Sequence, residues 1–244
     1  MKHSKTETKK TVGDGILELR PIAYMHSDFP EKFGIPRQPG LVPELTSVVE
    51  FEPEYGTEDF LKGLWPGFSH IWLVWGFSAN ASSGSRATVR PPRLGGNERL
   101  GVWATRSPFR PNPVGLSCVK IREVYRGEKG LCILVEGADL MDGTPIYDIK
   151  PYVPLTDCRT EAVGGFTDTV AWKELQVDFP EGLLAVVPEA KRTALIGVLA
   201  QDPRPAYQED PDREYGITFA GVNVRFKVRE GILTVLNCSQ DDLA

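Results

Sequence analysis

The sequence predicts a mainly β protein, α+β overall, with a β-rich N-terminal part and a smaller C-terminal α+β unit. Strand-length runs of apolar or alternating residues recur along the chain, while helical periodicity is confined to two short segments. Twenty prolines and 24 glycines punctuate it, too densely for long helices. No strand–helix–strand repeat emerges, which argues against a doubly wound parallel sheet of the Rossmann kind.

The elements follow in order. Gly15–Met25 (GILELRPIAYM) reads as a first strand bent at Pro21, and Ser47–Glu52 (SVVEFE) as a second. Glu58–Leu64 reads as a short helix with Thr57 at its N-cap. Ser69–Phe77 (SHIWLVWGF) is apolar on both faces, so it predicts a central, fully covered strand. Leu100–Thr105, Ser117–Val124 and Leu131–Glu136 complete the N-terminal set. In Ser117–Val124, Val119 and Ile121 alternate with Lys120 and Arg122, as on a half-buried strand. Glu128-Lys129-Gly130 makes the turn that follows. Patterning then weakens, and residues 156–187 read as a linker. Beyond it, Pro188–Ala200 predicts a helix, with Leu195, Val198 and Leu199 on one face. Tyr215–Ala220, Val222–Val228 and Ile232–Leu236 predict strands. The division is therefore a tail over 1–14, a β domain over 15–155, the linker, and a small domain over 188–244.

Composition narrows the function. A net charge of −5 excludes a general polyanion binder, so any nucleic acid must meet a local patch. The segment 86–117 is such a patch. It carries Arg86, Arg90, Arg93, Arg99, Arg106 and Arg110 against Glu98 alone, and five prolines hold it in shaped loop. A second basic row, Asn223, Arg225, Lys227 and Arg229, lines one face of the strand Val222–Arg229. The basic, polar start MKHSKTETKK has no apolar run behind it, so it reads as a flexible tail and neither signal nor anchor. No apolar stretch approaches membrane-spanning length. Cys118, Cys132, Cys158 and Cys238 lie far apart, the pattern of free thiols in a reducing compartment. A cytoplasmic location is expected, and the N-x-S matches at Asn80 and Asn237 then carry no meaning.

Most catalytic signatures are missing. Gly13-Asp14-Gly15 lacks the third glycine of a dinucleotide fingerprint, and Val102-Trp103 stands where a P-loop needs Lys-Ser/Thr. Three histidines without Cys/His pairing argue against zinc, and no metal is expected. Four short motifs remain. Pro36 and Pro39 hold Arg37-Gln38 extended, able to grip a carboxylate or a base edge, or simply forming an exposed loop. His70 opens an apolar strand, as a core histidine or as a pocket residue. Arg106 and Arg110 lie between prolines, in greater number than carbonyl capping requires. Asp139 and Asp142 could face a cation or a ribose diol, though an Asx-type turn explains one of them. Arginine, glutamine, two aspartates and a strand-end histidine, without metal, suit a zwitterionic, cationic, ribose-bearing ligand such as S-adenosylmethionine. Trp103 or Tyr207 could stack on an unstacked base, though Trp103 reads as a core residue before an exposed one.

The strings PRQPG, FSHIW, RPPRLGGN, GVWATRSPFRPNP and DLMDGTPIYDIKPY resemble the signature of the TsaA-like family. With LAQDPRPAYQ (Leu199–Gln208) they resemble its bacterial TrmO type, over about Leu17 to Asn237. The resemblance implies an N-terminal β-barrel that binds S-adenosylmethionine, a small C-terminal domain that helps hold tRNA, and a homodimer. It implies N6-methylation of threonylcarbamoyladenosine at position 37, beside the anticodon. The implied cofactor contacts are Pro36, Arg37, Gln38, His70, Ile71, Arg106, Leu116, Asp139, Leu140, Met141 and Asp142. Gln201, Asp202, Arg204 and Tyr207 become substrate contacts. Arg86, Arg90, Arg93 and Arg110, with Arg225 and Lys227, become the cations that meet anticodon-loop phosphates. Asp142 or His70 could act as the base, and proton loss to solvent is equally open. The rival reading is a module that senses the cofactor or a modified tRNA without catalysis.

Overall fold

The computed structural model describes residues 16–80, 84–94, 98–169, 173–205 and 210–241. The tail over 1–14 therefore lies outside the described residues. In chain order the strands are β1 (Ala23–His26), β2 (Thr46–Phe51), β3 (His70–Gly76), β4 (Thr88–Val89), β5 (Leu100–Gly101), β6 (Val114–Arg126), β7 (Leu131–Glu136), β8 (Pro145–Pro151), β9 (Gln176–Asp178), β10 (Tyr215–Phe219), β11 (Val222–Arg229) and β12 (Ile232–Gln240). The α-helices are α1 (Glu58–Leu61), α2 (Pro154–Asp157), α3 (Phe166–Thr169), α4 (Glu181–Leu184) and α5 (Arg192–Ala200).

Six strands close a barrel in the order β1-β2-β7-β6-β3-β8, every neighbouring pair antiparallel. Period-2 alternation decides which side chains fill it. Val49 and Phe51 of β2, Ile71 and Leu73 of β3, Val119 and Ile121 of β6, and Ile133 and Val135 of β7 are buried with Met25 and Ile146. β3 is thus covered completely on one face only. On the other, Trp72 donates from Nε1 to Asp157 Oδ2 of α2 at 3.0 Å and packs beside Tyr152. β6 runs 13 residues, longer than expected, and its register shifts between Ile121 and Glu123. β8 was not foreseen: prolines stand at both of its ends, where strands tolerate them. It closes the barrel between β1 and β3.

Two further expectations change. Residues 16–20 form no strand, so β1 begins at Ala23, after the proline. Leu100–Thr105 is strand for two residues only. It pairs with β4 and then tightens into a 3-10 turn over Val102–Ala104, which leaves Trp103 72% exposed. Trp103 is therefore not a core residue. Its register puts Val102 inside and its own ring outside.

The C-terminal unit is a four-stranded sheet, β10-β11-β12-β9, with α5 packed on it. β9 lies in the stretch read as linker and pairs parallel with β12; Val177, Phe179, Leu183 and Leu184 pack on the same core. The apolar face of β11 (Val222, Val224, Phe226, Val228) is buried as its alternation requires.

The connection between β1 and β2 joins the two units. Phe29, Val42 and Leu45 are buried in the C-terminal core, not in the barrel. Gly34, at φ +93°, comes so close to Ile217 that a Cβ would lie 3.2 Å from it. Lys191 Nζ meets Asp28 Oδ2 at 2.6 Å, and Ala220 N donates to Asp28 O at 2.9 Å. A barrel connection is thus held by the other unit's side chains.

Candidate cofactor and RNA site

That connection presents Pro36-Arg37-Gln38 at the seam. Pro36 is buried and fixes the backbone before Arg37. Arg37 Nη2 donates to Arg204 O at 3.1 Å, and Gln38 Oε1 accepts from Arg106 Nη1 at 2.6 Å. Residues from the β1–β2 connection, the end of β3, the 105–116 segment and the 139–144 loop thereby enclose a cavity of about 620 Å³. Its walls combine apolar side chains (Ile35, Trp75, Phe77, Val114, Leu116, Met141) with many polar ones, among them Lys32, Arg37, Gln38, Arg106, Arg110 and Asp139. Its volume is that of a small-molecule site, and its apolar walls carry convergent polar groups.

Among the described residues, Asp139 is the one acidic residue lining this cavity. Its carboxyl is pushed up from 3.8 to about 6, chiefly by burial; the hydrogen bond from Ser117, a backbone amide and the Arg106 charge pull the other way. Ser117 Oγ donates to Asp139 Oδ1 at 2.6 Å and accepts from Trp75 Nε1 at 3.0 Å. Trp75 lies flat against Gly115, where any Cβ would run into its ring. A chain of Trp75, Ser117 and Asp139 across β3 and β6 therefore sets where the carboxylate points. The turn of the 105–110 segment is held from within, since Arg110 Nη1 donates to Thr105 O at 3.0 Å.

Among the residues expected at a cofactor site, the structure brings together Pro36, Arg37, Gln38, Arg106, Leu116, Asp139 and Met141. It sets four others apart. Ile71 and Leu140 are buried in the barrel core. Asp142 accepts from Ser27 N at 3.0 Å and sits 3.6 Å from His26 Nδ1, off the cavity lining. His70 starts β3 whereas the cavity takes the strand's other end, roughly 17 Å away at strand rise. There His70 Nδ1 shares a 2.9 Å hydrogen bond with Ser69 Oγ. The lining residues that sequence reasoning missed are Lys32, Ile35, residues 75–80, Trp103 and Thr144. The cavity lies at a strand end, the one opposite to the end that carries His70.

A second cavity, of about 320 Å³, adjoins the first and shares Lys32, Ile35, Pro36 and Arg37 with it. Its far wall is the Gln201–Pro205 stretch that follows α5. Asp202 takes a left-handed backbone (φ 51°) and receives a two-point grip from Arg204, with Nε and Nη2 each at 2.8 Å.

Comparison with known proteins decides the family. Residues 24–158 match the tRNA-methyltransferase O N-terminal domain, and residues 173–241 match the TrmO C-terminal domain. The chain belongs to the tRNA-methyltransferase O family. It is 38% identical over 221 residues to the tRNA (adenine(37)-N6)-methyltransferase of Escherichia coli K12, covering 87% of this chain and 94% of that protein. A protein of the same name from Eikenella corrodens is 43% identical over 169 residues, 69% of this chain and 95% of its own. The crystal structure of TrmO from Pseudomonas aeruginosa superposes with a TM-score of 0.74 at 33% identity, covering 92% of this chain and 98% of that one.

The tRNA-methyltransferase O framework makes the remaining basic residues easier to place. Arg86 is exposed and lies over the Phe109 ring at 4.3 Å, and Arg90 is exposed. Arg110 sits 5.5 Å from the Trp103 ring, so an exposed tryptophan and its arginine flank the first cavity. Arg225 is exposed on β11, whereas Lys227 is half-buried and meets Glu214 at 3.5 Å. Gln201 is buried rather than offered to solvent. The side chain of Arg93 and all of Tyr207 lie outside the described residues. Among the described residues, no cluster of His, Cys, Asp and Glu is arranged for a metal, and no helix is long and apolar enough to cross a membrane.

Proposed function

We propose that this protein transfers the methyl group of S-adenosylmethionine to N6 of adenosine 37 in tRNA, its substrate being the threonylcarbamoyl-modified nucleoside. The observation that carries the reading is the first cavity, in which a cofactor-sized cleft holds a carboxylate tuned near neutrality beside arginine and glutamine. The donor set fits the cofactor. Arg37, Gln38 and Arg106 can receive a carboxylate, the Trp75 and Phe77 rings can flank an adenine, and Asp139 supplies the negative charge a cationic ligand needs. S-adenosylmethionine, when bound, supplies an electrophilic methyl group.

The chain's own residues do the rest. A substituted N6 is a urea-type nitrogen that must lose a proton as it gains carbon. Asp139, with a value near 6, is ionised at pH 7 yet basic enough to take that proton, which is the compromise a general base requires. Ser117 holds one of its oxygens, leaving the other to the cavity. Trp75, Phe77 and Leu116 line the cavity with apolar surface beside the transfer. Arg86, Arg90 and Arg225 hold phosphates of the anticodon loop, and Trp103 stacks beneath an unpaired base. A homodimer acting in the cytoplasm completes the reading.

The test is nucleoside mass spectrometry of tRNA from cells with and without the gene, paired with purified protein, labelled cofactor and hypomodified tRNA. Loss of the N6-methylated nucleoside and label transfer in vitro are expected. Unchanged nucleoside levels, or binding without transfer, would replace the enzyme with a sensor.

A further inference from the structure

The second cavity has no duty in methyl transfer itself, yet it opens beside the first and shares four wall residues with it. Its charge is uneven. Among the described residues, Lys32, Arg37 and Arg204 face it against Asp202 alone. Two of these cations are committed: Arg204 grips Asp202, and Arg37 donates to Arg204 O. Lys32 is exposed, lines both cavities, and has no partner among the described residues. A separate sign of polar ligand chemistry lies in the same wall. Gln201 is 7% exposed and its Nε2 is held on Glu174 Oε1 at 2.8 Å, which fixes the amide's orientation. Its Oε1 is left buried with no hydrogen-bond partner, a rare state in a folded protein.

We infer that the second cavity is the subsite for the acidic arm carried on N6 of the substrate, with Lys32 binding its carboxylate. The inference rests on the function proposed above. If N6 meets the methyl group in the first cavity, the arm bonded to N6 must enter space continuous with it, and this cavity is that space. A threonylcarbamoyl arm is short, polar and ends in a carboxylate and a hydroxyl. A cavity of about 320 Å³, at the small end for ligand sites, with one uncommitted cation and an unmet acceptor, matches that chemistry. Lys32 then acts as a specificity residue: it gains an ion pair with the arm's carboxylate on modified adenosine and keeps its water when the arm is missing. An RNA phosphate could offer the same anionic oxygens, and the two sources respond differently to a test.

The experiment uses full-length protein, Lys32→Gln and Lys32→Arg, with one tRNA prepared both with threonylcarbamoyladenosine and with plain adenosine at position 37. Wild type should bind the modified tRNA more tightly. Lys32→Gln should lose that preference by about ten- to hundredfold, the range for a charge-assisted contact, with affinity for the plain tRNA unchanged. Lys32→Arg should restore most of it. A thermal melt of each variant, coincident with wild type, shows that folding is not the cause. Equal weakening towards both tRNAs, with a shallower salt dependence, would mean a phosphate contact and overturn the inference. So would no preference in wild type, or a preference that survives Lys32→Gln. Failure of the proposed function reads out elsewhere, as wild type that binds cofactor and modified tRNA but transfers no label.

Discussion

Replacing Asp139 with asparagine should stabilise the free protein and disable the reaction. The carboxyl is raised from 3.8 to about 6, mainly because the fold takes it out of water. That rise corresponds to about 3 kcal/mol. It is a ceiling, since the residue is half-buried and water screens part of the effect. The sign follows from linkage. Above pH 6 the carboxyl is charged in both states, and only the folded state bears the burial penalty. As pH falls from 6 towards 3.8 the folded protein takes up the proton first and the penalty fades; below 3.8 it is gone. The amide of Asp139→Asn is neutral throughout and still accepts from Ser117 Oγ. Urea denaturation should therefore show the variant more stable by up to about 3 kcal/mol at pH 7–8, with the difference shrinking through pH 6 and vanishing near pH 4. Methyl transfer by the same variant should fall about 10²- to 10⁴-fold, the usual contribution of a general base. In wild type, kcat/KM should decline below pH 6. A variant that is no more stable at pH 7, or a stability difference that ignores pH, would refute the burial argument. Full activity in the variant would remove Asp139 from the proton step.

Other substitutions test the remaining geometry. Ser117→Ala removes a hydrogen bond that lowers the Asp139 value, so the acid limb of the activity profile should move to higher pH. Gly115→Ala drives a Cβ into the Trp75 ring and should cost about 1–3 kcal/mol by denaturant titration while weakening cofactor binding by calorimetry. Trp103→Ala should leave stability within about 0.5 kcal/mol, because the ring is exposed, but weaken tRNA binding by the equivalent of about 1–3 kcal/mol of lost stacking in a filter assay. Lys191→Met strands Asp28, whose side chain is 15% exposed, and should destabilise the protein by about 1–3 kcal/mol. His70→Ala should keep kcat within about twofold, since the residue sits at the far end of β3; a large loss would mean that a site exists there.

How much was legible depended on how local each signal is. Leu131–Glu136 is bounded by a turn and is apolar in all but its last residue, and its strand has the expected limits. β8 was hidden because Pro145 and Pro151 look like breakers, yet both fall at strand ends where the lost donor does no harm. β9 is three residues long and exists through pairing with β12, a partner more than fifty residues away. The site divides in the same way. Arg37, Gln38 and Arg106 stood out because prolines flank them in loops with no apolar pattern to explain them. Trp75 and Phe77 read as core, and only barrel closure shows that the strand ends at a cavity. Asp139 could not be told from Asp142 by spacing; burial and the Ser117 bond separate them. Lys32 resembles any surface lysine until the two cavities are seen to meet beside it.

The placement of residues 27–45 has a consequence for anyone who would recombine this protein with its relatives. Phe29, Val42 and Leu45 lie in one hydrophobic core while the strands on either side of them belong to another. A crossover drawn in the gap between the two halves would graft a foreign C-terminal sheet onto a native plug, with Gly34 facing an unmatched neighbour in place of Ile217. The heritable module is therefore discontinuous: a chimera meant to exchange RNA preference has to carry the 27–45 insert along with the C-terminal half. A single-breakpoint hybrid would mispack at that plug, and its arginine–glutamine pair would lose its mooring.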